Sequence, residues 1–184
     1  MDAAIKKRIK YIVKSNESSS ALPDLLGPNL QLVFCGSAAG TRSAQARAYY
    51  AGPGNFFWEV LQRTGLTKRK FAPQEYQLLK TCGIGLTDMV KQRVGNDGDL
   101  SSADFQPTLF RAKIEQYRPQ AVGFNGKRAA QEFYRHPVQY GLQPQGIGAT
   151  VVFVLPSTSG AARGFWNEAY WRDLADWIKN NRKE

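Results

Sequence analysis

Apolar residues in this chain gather into short unbroken runs, separated by stretches where they return every three or four positions. Leu32-Val33-Phe34-Cys35, Ala121-Val122-Gly123-Phe124 and Val151-Val152-Phe153-Val154-Leu155 are the clearest runs. Runs this short without polar alternation, rich in β-branched and aromatic side chains, predict strands buried on both faces. A loop from Pro23 to Pro28 precedes the first, placed at about 31–35. Between the runs, Asn55 is placed to cap a helix with Phe57, Val60 and Leu61 on one side, ending near Gly65. Pro73 opens a second helix to about Leu79, and Leu109 to Tyr117 forms a third that stops before Pro119. Gly83-Ile84-Gly85-Leu86-Thr87 reads as either a second strand end or a loop, and Gly95 to Asp99 as a turn. A helix from Gly126 to Tyr134 and a final one over about 165–180 complete the pattern. Strands alternating with helices predict an α/β fold, a three-layer αβα sandwich on a short, mainly parallel sheet.

Length and composition narrow this to one domain. The 184 residues, 42% hydrophobic, suffice for a real core and exclude a disordered chain. Residues 1–22 form a basic segment with Lys6, Lys7, Arg8, Lys10 and Lys14, and Ile5, Ile9, Ile12 and Val13 fall near helical spacing. That segment is either an arm on a polyanion or a surface-docked helix; residues 23–184 are the domain. The formal charge of +10 makes the surface attractive to polyanions. Cys35 and Cys82 are too few for a disulfide framework, no apolar stretch reaches membrane-spanning length, and the N-terminus lacks an apolar signal core. The expectation is a soluble, cytoplasmic protein with no membrane contact. A metal site is not expected: His136 is the only histidine, and the cysteines lack ligand-like spacing.

Candidate chemistry lies where strands end. Gly36-Ser37-Ala38-Ala39-Gly40 and Leu155-Pro156-Ser157-Thr158-Ser159-Gly160 each follow an apolar run and lead into a helical pattern. Ligands of open α/β sheets bind beyond the carboxyl ends of strands. Small-residue loops there let a phosphate or a base approach backbone N–H groups closely. Neither loop alone exceeds a generic tight turn, and Gly36 to Gly40 matches neither the phosphate-loop nor the dinucleotide fingerprint.

The combination says more. The first loop continues to Tyr49-Tyr50-Ala51-Gly52-Pro53-Gly54-Asn55-Phe56-Phe57-Trp58, Phe124-Asn125-Gly126-Lys127 follows the third strand, and the Leu-Pro-Ser-x-Ser-Gly loop comes last. In this order and spacing the chain, over roughly residues 30 to 178, resembles the mismatch-specific uracil/thymine-DNA glycosylases of the uracil-DNA glycosylase superfamily. The resemblance implies excision of a flipped, damaged or mismatched base, chiefly uracil, in base excision repair. It implies DNA as partner, duplex or single-stranded, a monomer, water as nucleophile and no cofactor. Backbone groups of Gly36, Ser37, Ala38 and Gly40 would then face the base, Tyr50 would stack on it, and Asn55 would form a pocket wall or simply cap its helix. Ser43, Lys127, Ser157, Ser159, Gly160 and Arg163 would meet the DNA, Arg163 at the minor groove.

One departure matters. The family usually places a water-positioning asparagine at the third position of the first loop, followed by proline; here these are Ala38 and Ala39. The resemblance then points to Asp88, in Gly85-Leu86-Thr87-Asp88-Met89-Val90, as the catalytic carboxylate. A carboxylate can stabilise oxocarbenium character on the sugar and activate water. At an ordinary aspartate pKa it would be ionised at neutral pH. The competing expectation for Asp88 is a helix cap. Two other functions stay open: a non-catalytic mismatch- or lesion-binding protein of the same fold, and a small-molecule hydrolase or transferase on a nucleotide-like substrate.

Overall fold

The computed structural model describes residues 20–181. The helix expected within residues 1–22 lies largely outside them. The five strands are β1 (Leu32–Ala39), β2 (Ile84–Val94), β3 (Ala121–Asn125), β4 (Gly141–Leu142) and β5 (Val151–Leu155). They form one sheet in the order β2-β1-β3-β5-β4, parallel except for β4, which pairs antiparallel with β5. The α-helices are α1 (Thr41–Gln45), α2 (Phe57–Arg63), α3 (Pro107–Tyr117), α4 (Lys127–Tyr134) and α5 (Ala169–Asn180). Pro73–Cys82 and Gly160–Phe165 are 3-10 turns.

Successive side chains of a strand point to opposite faces, and the unbroken apolar runs therefore feed two cores. Leu32 and Phe34 of β1 pack with Phe57, Val60 and Leu61 of α2 and Trp171, Leu174 and Ile178 of α5. Val33 and Cys35 pack on the other face with Phe110 and Ile114 of α3 and Ala129, Ala130 and Phe133 of α4. These two layers over one sheet are the expected three-layer α/β architecture. The aromatic centre of the first core is Phe34, edge-on to Phe57 and stacked on Trp171, with ring centroids 5.3 Å apart in each case. Such pairs add about 0.5–1.5 kcal/mol each beyond their buried area.

Three differences from the sequence reading have physical reasons. First, β1 does not end at 35: Gly36 to Ala39 remain strand because β2 continues beside them, pairing Gly36 with Asp88 and Ala38 with Val90. Second, β2 is an eleven-residue strand rather than a strand end or loop. Its early glycines hid it; a side chain at Gly85 would come within 2.7 Å of the Leu25 carbonyl, which bridges to Leu86 from the preceding loop. Third, the last helix begins at Ala169, because the chain from Gly160 to Phe165 winds as a 3-10 turn first.

Candidate active site

The strand order reverses direction at β1: β2 lies on one flank and β3 on the other. Ligand crevices of open α/β sheets form at such switch points. β3 pairs with β1 only as far as Cys35 opposite Phe124, whereas β2 stays alongside β1 to Ala39. Gly36, Ser37 and Ala38 therefore run past the end of the β3 pairing, at the mouth of the crevice.

Asp88 stands directly across from Gly36 in the β1–β2 register. A Cβ on Gly36 would sit 2.7 Å from Asp88 Oδ1 and 3.5 Å from the Tyr50 hydroxyl oxygen. The carboxylate thus reaches over the bare glycine, and the phenol comes to the same spot. A side chain at 36 would push them aside; this is the steric reason for glycine here. Asp88 is 5% exposed. Burial pushes its carboxyl up from 3.8 to about 6; Lys91 opposes that rise, Asp24 adds to it and Lys113 opposes it. This corrects two expectations. Asp88 is no helix cap, since it sits inside β2 where no helix starts. Nor does it keep an ordinary aspartate pKa, because it has lost most of its water.

Tyr50 and Tyr49 separate as their burial dictates. Tyr49 is a core residue, 1% exposed, whose hydroxyl donates to the Pro23 carbonyl (3.2 Å) and accepts from Lys91 Nζ (3.2 Å). Tyr50 has a left-handed backbone (φ 54°), and its ring stacks on Phe57 with centroids 3.9 Å apart. Left-handed backbone is uncommon for a bulky residue and tends to collect at functional sites. The Tyr50 hydroxyl is buried and makes no close hydrogen bond, the Asn125 amide being the polar group beside it. Burial first, then the Asp88 charge, keep that phenol protonated, although the nearby Asn125 amide works the other way.

Asn125 and Thr158 set the third wall. The Asn125 amide donates to Thr158 Oγ1 (2.9 Å), and the Thr158 N–H donates to Asn125 Oδ1 (3.0 Å). This reciprocal pair ties the end of β3 to the loop after β5. The same loop accepts from Phe56 N–H at the Thr158 carbonyl (3.2 Å) and from the Trp171 indole at the Pro156 carbonyl (2.9 Å). Gly160 lies against Gly54, where an added Cβ would meet the Gly54 carbonyl at 3.3 Å. Gly126 adopts φ 118°, a conformation open to glycine, as the chain turns from β3 into α4. Both small-residue segments are thereby brought together at one sheet end, as the order of the motifs suggests.

Residues 23–175 match the family model of the uracil DNA glycosylase superfamily. The chain belongs to that superfamily. The fold is shared with a solution NMR structure of a Methanosarcina acetivorans protein described as a candidate uracil DNA glycosylase. The TM-score is 0.60, with 22% identity, covering 86% of this chain and 96% of that one. Membership of the uracil DNA glycosylase superfamily supports a DNA glycosylase role, with DNA as the partner.

In this superfamily member the remaining expected residues have different surroundings. Ser43 is the clearest correction: it is buried, and its Oγ accepts the Ala51 N–H (3.0 Å), so it holds the turn instead of facing a phosphate or a base. Asn55 lies one residue before Phe56, the N-cap of α2, and its Oδ1 accepts the Phe57 N–H (3.1 Å), so it secures the start of the helix without being its N-cap. Ser157 Oγ accepts the Ser159 N–H (3.2 Å) and so shapes the second loop. Gly40 has no atom within 4 Å of an added Cβ, and the space before α1 is open. Lys127 leads α4 with its ammonium 4.4 Å from the Tyr140 ring centroid, a cation–π contact. Arg163 is exposed on the second loop.

The sequence reading missed four things. Asn125 was visible in the Phe-Asn-Gly-Lys motif but carried no role, because its partner Thr158 is 33 residues away. Phe165, 74% exposed at the end of the second loop, was hidden among aromatics that are mostly core. Lys91 and Lys113 are each 3% exposed, and nothing in a lysine's neighbours along the chain predicts that. A cavity of about 290 Å³ lined by Leu32, Leu66, Cys82, Ile84 and Ile178 lies at the opposite, amino-terminal end of the sheet and plays no part in this site. Among the described residues no cluster of His, Cys, Asp or Glu could hold a metal ion, and no helix is long and apolar enough to cross a membrane.

Proposed function

We propose that this chain is a monofunctional DNA glycosylase of the mismatch-specific uracil/thymine type, hydrolysing the N-glycosidic bond of a flipped uracil with Asp88 as its catalytic carboxylate. The observation that carries the reading is the Asp88 carboxylate, buried over Gly36 at the switch point, with the Tyr50 hydroxyl beside it. Ala38 offers no amide to hold water and the Asn125 amide is engaged by Thr158, which leaves the Asp88 carboxylate for that task. With a pKa of about 6 it is mostly ionised at neutral pH yet basic enough to take a proton. As the glycosidic bond breaks, positive charge grows on the sugar, and a desolvated anion stabilises it more strongly than one in water. The same carboxylate orients and deprotonates the water that attacks the anomeric carbon. The departing base takes hydrogen bonds from backbone N–H groups near Gly36 to Gly40, with Tyr50 as the aromatic that stacks on it.

Base flipping costs least at a mismatch, and this sets a preference for defective pairs. On the DNA side, Gly160 and Ser159 admit the backbone, while exposed Arg163 and Phe165 enter the minor groove, where apolar wedges and arginines fill an emptied stack. A carboxylate-driven site without the usual asparagine accepts a broader range of deaminated bases. The test is a panel of oligonucleotides carrying uracil, thymine opposite guanine, hypoxanthine or xanthine, cleaved with alkali after incubation. Uracil strands are expected to cleave first. Tight binding to mismatches with no free base released from any of them would replace this reading with that of a lesion-binding protein.

A further inference from the structure

Asp24, from the segment before β1, is buried between two ammonium groups: Lys91 Nζ lies 2.7 Å from its Oδ1 and Lys113 Nζ 2.5 Å from its Oδ2. Thr87 Oγ1 donates to Oδ1 at 2.7 Å, and Lys91 donates to the Tyr49 hydroxyl. All three charged side chains are 4% exposed or less. Lys113 comes from α3, 89 residues from Asp24 in the chain, so the fold brings this group together. Two cations against one anion leave one positive charge over, and such a surplus favours the ionised form of a neighbouring acid. Asp88 follows directly in β2 on Thr87, the residue whose hydroxyl holds Asp24, and the charges of Lys91, Asp24 and Lys113 all act on its carboxyl.

We infer that Lys91 and Lys113 are positioning residues: the surplus positive charge of the Asp24–Lys91–Lys113 cluster holds the Asp88 carboxylate anionic in its dry site. This rests on the reading of Asp88 as the catalytic carboxylate. With Asp88 ionised the four buried groups sum to zero; with Asp88 protonated they do not. The other titratable groups facing Asp88 cannot supply the balance. Cys35 from β1, and Tyr49 and Tyr50 from the segment after α1, are all kept protonated by burial in the first place and by the Asp88 charge next. Asp24 itself, although buried, is held below the ordinary carboxylate range by Lys91 and Lys113, so it stays the permanent anion of the group. Lys113 has its ion-pair partner in Asp24 and reaches Asp88 only through space, so its charge can be removed without touching the reacting atoms.

The experiment is single-turnover excision from a uracil duplex between pH 5 and 9, for wild type, Lys113→Met, Lys91→Met and Lys113→Arg. The wild-type rate rises through an acidic limb near pH 6. In the methionine variants the limb moves up by about one unit, so the rate falls roughly fivefold at pH 6 and recovers at pH 9. Lys113→Arg keeps the wild-type limb. A methionine variant slower by the same factor at every pH, with its limb unmoved, would overturn the inference. Should the methionine variants fail to fold, a carbon-13 titration of the wild-type carboxyl groups decides. Asp88 titrating near 6 with Asp24 ionised far below supports the inference; Asp24 titrating at or above Asp88 overturns it. Asp88→Asn separates the two claims. A wild-type rate in that variant removes the catalytic reading and the inference with it, whereas a dead Asp88→Asn beside an unmoved Lys113→Met limb removes the inference alone.

Discussion

Asp88→Asn should make the protein more stable while abolishing excision. In the folded chain the carboxyl is raised from 3.8 to about 6, with burial as the main cause. The folded state therefore holds the proton more tightly than the unfolded chain does. This acid destabilises the fold as pH rises through that window. Below about pH 4 the group is neutral in both states and contributes nothing; above about pH 6 the full cost is present. At 1.36 kcal/mol per pKa unit, the ionised Asp88 costs about 3 kcal/mol at neutral pH, with the help of Lys91 and Lys113 already included. Asparagine has nearly the same shape and never ionises. Urea unfolding of both proteins from pH 4 to 8 should give matching stabilities at the acid end. The curves then part, and above pH 7 the variant is ahead by about 3 kcal/mol. Such a trade of stability for function is common where a site holds a desolvated charge. A variant equal to or weaker than wild type at pH 7.5 would show that Asp88 is not a destabilising buried anion, and the pH argument for its chemistry would fail.

Gly36→Ala places a methyl 2.7 Å from Asp88 Oδ1, so the carboxylate must move. Excision should drop at least about tenfold, with a stability loss of about 1–3 kcal/mol in thermal melts. Asn125→Ala leaves the buried Thr158 N–H and hydroxyl without their partner, and a loss of about 1–3 kcal/mol with faster amide exchange from Thr158 to Gly160 is expected. Phe165→Ala removes an exposed ring and should change stability by less than about 0.5 kcal/mol. Its effect should instead be a loss of excision from duplex DNA with single-stranded uracil unaffected, as gel assays of the two substrates would show.

The architecture was legible because its strands are buried on both faces and so appear as unbroken apolar runs. Leu32 to Cys35 and Val151 to Leu155 each feed both cores. Strand β2 was obscured by Gly83 and Gly85, whose roles are a left-handed turn (φ 71°) and close packing on Leu25. Strand β4, two residues long, has too little pattern to show. At the site, Asp88 was singled out through the missing amide at Ala38, while its environment was not visible. Desolvation and the Lys91–Asp24–Lys113 group are products of packing between segments far apart in the chain. Ser43 misled because a serine near a loop reads as a ligand contact, and only the fold shows its hydroxyl engaged by Ala51.

The most direct measurement is the single-turnover release of free uracil from a duplex by wild type and by Asp88→Asn at pH 7.5, with binding to an abasic-site duplex recorded for both. A catalytic carboxylate predicts a loss of at least about a hundredfold in rate with binding retained. Release at the wild-type rate from the asparagine variant would contradict it.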